Sequence, residues 1–187
     1  MGVAQAGLRL NAWCSLGILA VIGAIGVGLP AVDRAVPSLL ALTPGAPYRV
    51  ADRVTVVPPP GARVDLRETR PGRDTGRALF LVGGVRYAVV VTTDRIDVAA
   101  AATRLVTRLR DNTGARPVEG DDTLPAGLTP ETTRVGRFRT GAADGWYAVR
   151  LLGSRTVVDV TATGAPGDLA GRLPAIRAST ASIGPRT

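Results

Sequence analysis

The residue types that could carry chemistry are limited in this chain. The sequence of 187 residues contains no histidine, which excludes a Ser-His-Asp triad, a Cys-His pair and histidine zinc sites. The single cysteine, Cys14, lies within an apolar run, so no intrachain disulfide can form. No GxxxxGK[ST] phosphate loop occurs. Carboxylates or an unassisted serine remain, and neither stands in a recognisable catalytic arrangement. We therefore expect no catalytic residue, cofactor or metal.

One short segment concentrates carboxylates. Glu119, Asp121 and Asp122 stand within four residues, and their oxygens suit a hard cation. The segment lacks the alternating ligand spacing and the distant bidentate glutamate of a calcium loop. A solvated loop is the simpler interpretation.

Four arginines recur between residues 67 and 77 and offer a different chemistry. Their guanidinium groups suit phosphates or the carboxylates of a wall polymer. Glu68 and Asp74 stand among them, so a mixed-charge loop is the alternative. The four arginines are Arg67, Arg70, Arg73 and Arg77.

Two adjacent aromatic residues form the second part of a predicted partner surface. Trp146 and Tyr147 lie on a predicted strand, so their side chains point to opposite faces. An exposed aromatic side chain beside arginines is typical of a partner site. The alternative is that Trp146 closes the end of a small core.

The stretch from Leu10 to Leu29 determines where the chain is placed. Its twenty residues carry no charge, and about 20 apolar residues cross a bilayer as a helix. A cleaved secretory signal is the alternative, but no clean small-x-small cleavage site follows. We predict a cytoplasmic tail (1–9), an uncleaved transmembrane helix (10–29) and a C-terminal domain outside the cytoplasm. Only Arg9 and the amino terminus specify this orientation by charge, and the long following domain favours it.

Small residues at four-residue spacing lie on one face of that predicted helix. Such a pattern lets two helices approach closely. It predicts helix–helix packing, either as self-association or within a larger complex. The residues concerned are Ala20, Ala24 and Gly28.

The charge of the chain restricts the partners. All 23 basic residues are arginine, against 15 acidic residues, and the net charge is +8. Together with the many Ala, Val, Gly and Pro residues, this composition is typical of a GC-rich genome. A surface of this sign attracts anionic lipid or wall polymer, although a merely solvated basic face is the alternative. No nucleic acid is expected, because the arginines are scattered among acids and no aromatic-rich RNA-binding strand occurs.

The remaining pattern predicts one α+β domain at residues 48–187. A juxtamembrane linker at 30–47 precedes it. In this linker, Leu39, Leu40 and Leu42 would lie near the lipid headgroups. Gly83-Gly84 predicts a two-residue hairpin turn. One helix is predicted at 98–110, capped by Asp94 or Asp97. Apolar residues at helical spacing over 168–183 predict a second, which is expected to begin at Pro174 because a proline is costly in mid-helix. An antiparallel sheet with one or two packed helices follows. The predicted strands are 53–57, 62–68, 78–82, 85–92, 135–140, 146–152 and 155–163.

Two phrases of the sequence resemble a known family. RVTVVPPPGA (53–62), and GWYAVRLLGSRTVVDVTATGAP (145–166) with the later RASTASI (177–183), are similar to PsbP-like domains. Ala62 stands where these domains have a tryptophan. Actinobacteria carry single-pass membrane proteins with such an outer domain. The resemblance covers roughly residues 50–183 and implies a PsbP-like fold and a non-enzymatic module that binds or scaffolds.

These observations lead to three hypotheses. The first is a membrane-anchored, extracytoplasmic binding or scaffold module of the bacterial cell envelope, whose partner is an envelope protein or an anionic wall polymer. The second is an accessory subunit of a larger membrane complex that associates through its transmembrane helix. The third is an envelope hydrolase with two carboxylates about 5 to 9.5 Å apart across a cleft.

Overall fold

The computed structural model describes residues 38–120 and 123–186. The predicted tail and transmembrane helix, with Ala20, Ala24 and Gly28, lie outside these residues. Within the described ranges, no helix is long and apolar enough to cross a membrane. The predicted α+β class is confirmed: antiparallel sheets pack with two helices.

The larger sheet has eight antiparallel strands. In their spatial order, they are β1 (Leu39–Ala41), β4 (Arg63–Asp65), β5 (Gly76–Val82), β6 (Val85–Thr93), β10 (Thr156–Gly164), β9 (Ala143–Leu152), β8 (Thr133–Thr140) and β7 (Arg116–Val118). A smaller sheet joins β11 (Gly184–Pro185), β3 (Val54–Val56) and β2 (Tyr48–Ala51) in that order.

The hairpin of β5 and β6 follows the sequence prediction. Val82 pairs with Val85, which leaves Gly83-Gly84 as the two-residue turn. Gly83 has φ +62°, a conformation that glycine adopts without steric cost. β9 and β10 pair from Leu152 and Thr156 outward, which leaves Gly153, Ser154 and Arg155 as the turn between them.

The main core lies on one face of the larger sheet, which we call the core face. Alternate residues of β10 point there: Val158, Val160 and Ala162 are each fully buried. Apolar residues of the smaller sheet and of the C-terminal helix complete the core. Full burial of a valine, leucine or isoleucine side chain in this core stabilises the fold by about 1.5 to 3 kcal/mol.

Helix α1 (Val98–Thr113) packs on the opposite face, which we call the α1 face. Asp97 caps it by accepting a hydrogen bond from the Ala100 N–H at 2.8 Å, and Gly114 ends it with φ +66°. Leu105 lies in a cluster with Val149 and Val157 of the sheet. The predicted helix is confirmed and extends to Thr113.

Helix α2 (Pro166–Ala181) packs on the core face. The prediction that it begins at Pro174 is wrong, because Pro166 occupies its first turn and Pro174 lies inside it. Pro174 is exposed and removes one backbone hydrogen bond. The earlier start buries Leu169, at 1% exposure, beside Ile176, at 0%, which offsets that cost.

Four short strands occur where the sequence predicted none: β2 and β11 of the smaller sheet, and the edge strands β1 and β7 of the larger sheet. β1 lies in the predicted linker 30–47, so regular structure begins before Tyr48. β7 lies in a stretch without a strand pattern. Three residues are too few to show an alternating pattern, and β1 and β7 form because a neighbouring strand offers free backbone groups.

Candidate functional site

Trp146 is a core residue. Its side chain is 0% exposed, and it pairs with Ala162 and Arg137 on the neighbouring strands. The expectation that Trp146 belongs to a partner surface is therefore wrong, because alternation along β9 directs it into the main core. Tyr147 points to the α1 face, where it is half-buried against the α1 cluster.

The four predicted arginines do not share one loop. Arg77 lies on β5, and its backbone pairs with that of Arg70 through N–O distances of 2.8 and 3.0 Å. Arg70 turns back and donates from Nη1 to the carbonyl oxygens of Leu66 and Thr69, at 3.1 and 2.8 Å. Arg67 and Arg73 are exposed in the connections on either side. Of the four, Arg77 alone lines the groove described next.

A groove lies on the α1 face where α1 leaves the strands β5, β6 and β10 uncovered. It consists of two adjoining depressions of about 460 and 230 Å³. We call their combined surface the arginine groove, since three arginines border it: Arg77, Arg86 and Arg108. The two depressions share Arg77, Ala88, Leu109, Thr113 and Thr161.

One carboxylate holds two of these arginines. Glu68 accepts from Nη2 of Arg77 at 3.1 Å and from Nη2 of Arg86 at 2.8 Å, one on each carboxylate oxygen. The two arginine side chains are 50% and 51% exposed, and each keeps further N–H groups for a ligand. Two positive charges against one negative charge leave this end of the groove with a net charge of +1.

The third arginine pairs with a buried carboxylate. Nη2 of Arg108, on α1, donates to Oδ2 of Asp159, on β10. The Asp159 side chain is 3% exposed, and Oδ1 has no hydrogen-bond partner within the described residues. Burial raises the pKa of Asp159, and the hydrogen bond from Arg108 opposes that shift. The pair therefore fixes α1 against the sheet at the end of the groove.

The floor of the arginine groove is apolar and closely packed. Leu79 and Phe138 are 1% and 4% exposed, and Ala88 lies between them. The ring of Phe138 lies over Gly145, directly opposite on β9, where a Cβ would overlap the ring. A glycine under an aromatic ring is a known cross-strand arrangement. It holds Phe138 flat against the sheet.

The described residues provide no cluster suited to a metal. No group of three or more histidine, cysteine, aspartate or glutamate side chains is placed to hold an ion in residues 38–120 and 123–186. Glu119 is exposed, while Asp121 and Asp122 lie outside the described residues.

The arginine groove combines cationic groups with an apolar floor, which suits an anion attached to a less polar body.

The sequence singles out Arg77, but it does not single out the other charged residues of the groove. Arg86 shares a face with Ala88 and Val90 by simple alternation along β6. Arg108 lies off the apolar stripe of the predicted helix, and Asp159 is the one charge inside a β-branched strand. The positions of Arg108 and Asp159 are unusual in the sequence, but only the fold brings the two residues together.

Comparison with known proteins adds no assignment: no protein-family model matches the chain, and no curated protein shows significant similarity to it.

Proposed function

We propose that this chain is a non-catalytic binding or scaffold module of the bacterial cell envelope, anchored in the membrane by residues 10–29. We further propose that the arginine groove binds its ligand. The observation that carries this proposal is the pair Arg77 and Arg86, half-exposed and held by Glu68 at the rim of an apolar floor. Because Glu68 already holds both arginine side chains in place, binding of a ligand costs little further side-chain entropy.

The proposed ligand is an anionic wall polymer. A phosphate of the polymer would accept charge-assisted hydrogen bonds from the free N–H groups of Arg77 and Arg86. Its sugar or polyol part would lie over Ala88 and Leu109, near the hydroxyl groups of Thr113 and Thr161. An envelope protein that presents a carboxylate is the other partner of matching charge.

The groove favours binding over hydrolysis. A glycoside hydrolase needs two carboxylates facing each other, about 5 to 9.5 Å apart. Among the described lining residues of the groove, Asp159 is the one carboxylate, and Arg108 occupies it. Glu68, at the rim, is paired with both Arg77 and Arg86, so neither carboxylate is free to act as the acid or base of a hydrolase.

The PsbP-like assignment is also a proposal. The order of β3, the β5–β6 hairpin, α1, the three strands β8 to β10 and the closing α2 supports it. So do the two sequence phrases, which fall on β3 and on the β9–β10 hairpin.

Calorimetric titration tests the ligand. The full-length protein in detergent micelles is titrated with a glycerol-phosphate oligomer. We expect Arg77→Gln and Arg86→Gln each to weaken binding about tenfold, the value of one charge-assisted hydrogen bond. Arg155→Gln, in an exposed turn away from the groove, is the matched control and should bind as the wild type does. Equal binding by all three variants would exclude the groove as the site.

Protease protection on intact cells tests the placement. With a tag at the C-terminus, external protease should remove the tag while the chain stays in the membrane fraction. A protected tag would place the domain in the cytoplasm and refute an envelope module.

A further inference from the structure

The β1–β4 edge of the larger sheet exposes apolar side chains. Leu40 is 53% exposed and Leu66 is 44% exposed. They are two of three large hydrophobic side chains so exposed in the described residues, and the third, Val118, lies on β7 at the opposite edge. Leu40 pairs with Val64, and Leu66 follows Val64 by two residues, so both leucines border the same edge.

Exposed arginines accompany these leucines. Arg63, Arg67 and Arg70 lie within eight residues, and all three are exposed. The basic and apolar groups therefore share one short segment and its neighbour β1. We call Leu40, Arg63, Leu66, Arg67 and Arg70 the edge patch.

The acids of the same segment bond inward. Oδ1 of Asp65 accepts the backbone N–H of Arg67 at 2.9 Å and that of Glu68 at 3.4 Å. Glu68 itself holds Arg77 and Arg86 beside the arginine groove. Three arginines therefore stand against the single charge of Asp65, since Glu68 is paired with Arg77 and Arg86, and the net charge of the edge patch is positive.

The edge patch is also where the chain enters the domain. Leu39, the first residue of β1, follows Leu29 by ten residues. Ten residues reach at most about 35 Å when fully extended. If residues 10–29 cross the membrane, as the proposed function requires, β1 is the strand that is tethered closest to the bilayer.

We infer that the edge patch docks on the anionic bilayer in which the chain is anchored. Leu40 and Leu66 insert among the headgroups, and Arg63 and Arg67 contact lipid phosphates, while Arg70, which bonds to the carbonyl oxygens of Leu66 and Thr69, adds positive charge. Apolar burial and attraction to anionic lipid together bind such surfaces. This inference rests on the proposed membrane anchor, and it assigns the domain a fixed contact with the lipid surface.

Site-directed fluorescence tests the docking. Cys14→Ser removes the single native cysteine, and Leu66→Cys then carries an environment-sensitive label. Val118→Cys, in the same background, is the matched control because Val118 is exposed at the opposite edge. The full chain is reconstituted in phosphatidylcholine vesicles with and without about 30 mol% phosphatidylglycerol, and spin-labelled lipid serves as quencher.

The expected result is quenching at position 66 at least about twofold stronger than at position 118, and only with anionic lipid. Arg63→Glu together with Arg67→Glu, or about 1 M salt, should abolish the difference. Equal quenching at the two positions, in chains that float with the vesicles, overturns the docking and leaves the anchor in place. Quenching that does not depend on phosphatidylglycerol overturns the role of lipid charge. A chain that does not float overturns the anchor and the docking together.

Discussion

Arg108 on α1 donates a hydrogen bond to Asp159 on β10, across 51 positions of the sequence. The two side chains differ in environment, since Arg108 is 45% exposed and Asp159 is 3% exposed. Water can solvate the arginine if the pair is broken, whereas the carboxylate has almost no surface in contact with solvent. The cost of breaking the pair therefore falls on Asp159.

Arg108→Ala should lower the free energy of unfolding by about 2 kcal/mol at neutral pH, because it leaves a buried carboxylate without a charged donor. Arg108→Ala combined with Asp159→Asn should recover most of that loss, since no buried charge remains. Chemical denaturation of the two single variants and the double variant gives the coupling energy. Strictly additive losses would show that the pair is not coupled.

Asp159 should make the stability of the folded protein depend on pH, as expected for a buried carboxylic acid. Burial raises the pKa of Asp159 above its usual value, and the Arg108 hydrogen bond opposes this shift. A raised folded-state pKa means that the group's contribution to stability is present below its unfolded-state pKa and is lost as the pH rises through the folded-state value. The stability of Asp159→Asn should therefore increase relative to the wild type as the pH rises from about 3 to about 7.

Denaturant midpoints measured across that pH range test this expectation. Asp52→Asn is the control, because the Asp52 side chain is 48% exposed. A difference between Asp159→Asn and the wild type that stays constant with pH, or that slopes the other way, would contradict the assigned environment of Asp159.

Local signals were sufficient for much of the fold. Asp97 and Gly114 mark the ends of α1, and Gly83-Gly84 marks the hairpin, because each satisfies a backbone requirement within a few residues. The start of α2 was not predictable in this way. Pro174 argues locally for a helix boundary, whereas the deciding term is the burial of Leu169 against distant strands.

The candidate site was predictable only in part, for the same reason. Arg77 stood out as one of several arginines close in sequence. Its relation to Arg86 and Glu68 depends on the pairing of β5 with β6. For Trp146 the sequence leaves a partner surface and a core position both open, because two adjacent aromatic residues on a strand point to opposite faces, and only the position of β9 in the sheet determines which face is buried.

Gly145 should tolerate no side chain, because a Cβ there would overlap the ring of Phe138. We expect Gly145→Ala to lower the free energy of unfolding by about 2 kcal/mol through overpacking. Gly171→Ala is the control: Gly171 lies inside α2 with nothing within 4 Å of its Cβ position, so it should raise stability by up to about 1 kcal/mol. Thermal unfolding compares the two variants, and equal effects would contradict the packing of Phe138.

Trp146 should be shielded from aqueous quenchers, because its side chain is 0% exposed. In a Trp13→Phe variant, Trp146 is the one remaining tryptophan, so its emission is observed alone. Iodide should quench it weakly in the folded protein and strongly in denaturant. Trp146→Ala should cost about 4 kcal/mol of stability. Strong iodide quenching of the folded protein would show that Trp146 is exposed to solvent and would contradict its place in the core.

Arg150, on β9, holds the C-terminal end of α2. Nη1 donates to the carbonyl oxygen of Thr180, in the last turn of α2, at 2.8 Å and to that of Ile183, just beyond the helix, at 2.6 Å. Burial lowers the pKa of Arg150 from its usual value. An arginine nevertheless remains charged in proteins, so both bonds are charge-assisted. Removing them should loosen the end of α2 together with β11, which follows it.

Arg150→Met keeps the length of the side chain and removes every donor, and we expect it to cost about 2 kcal/mol because two carbonyl groups lose their charged partner. Hydrogen exchange should accelerate in peptides covering 176–186 and remain unchanged in peptides of α1, which does not contact Arg150. The stability and hydrogen exchange of Arg150→Lys should lie between those of the wild type and of Arg150→Met, because a lysine ammonium lacks the planar fork of the guanidinium. Equal acceleration in both helices would mean that the substitution only weakens the whole fold, and the capping role would be wrong.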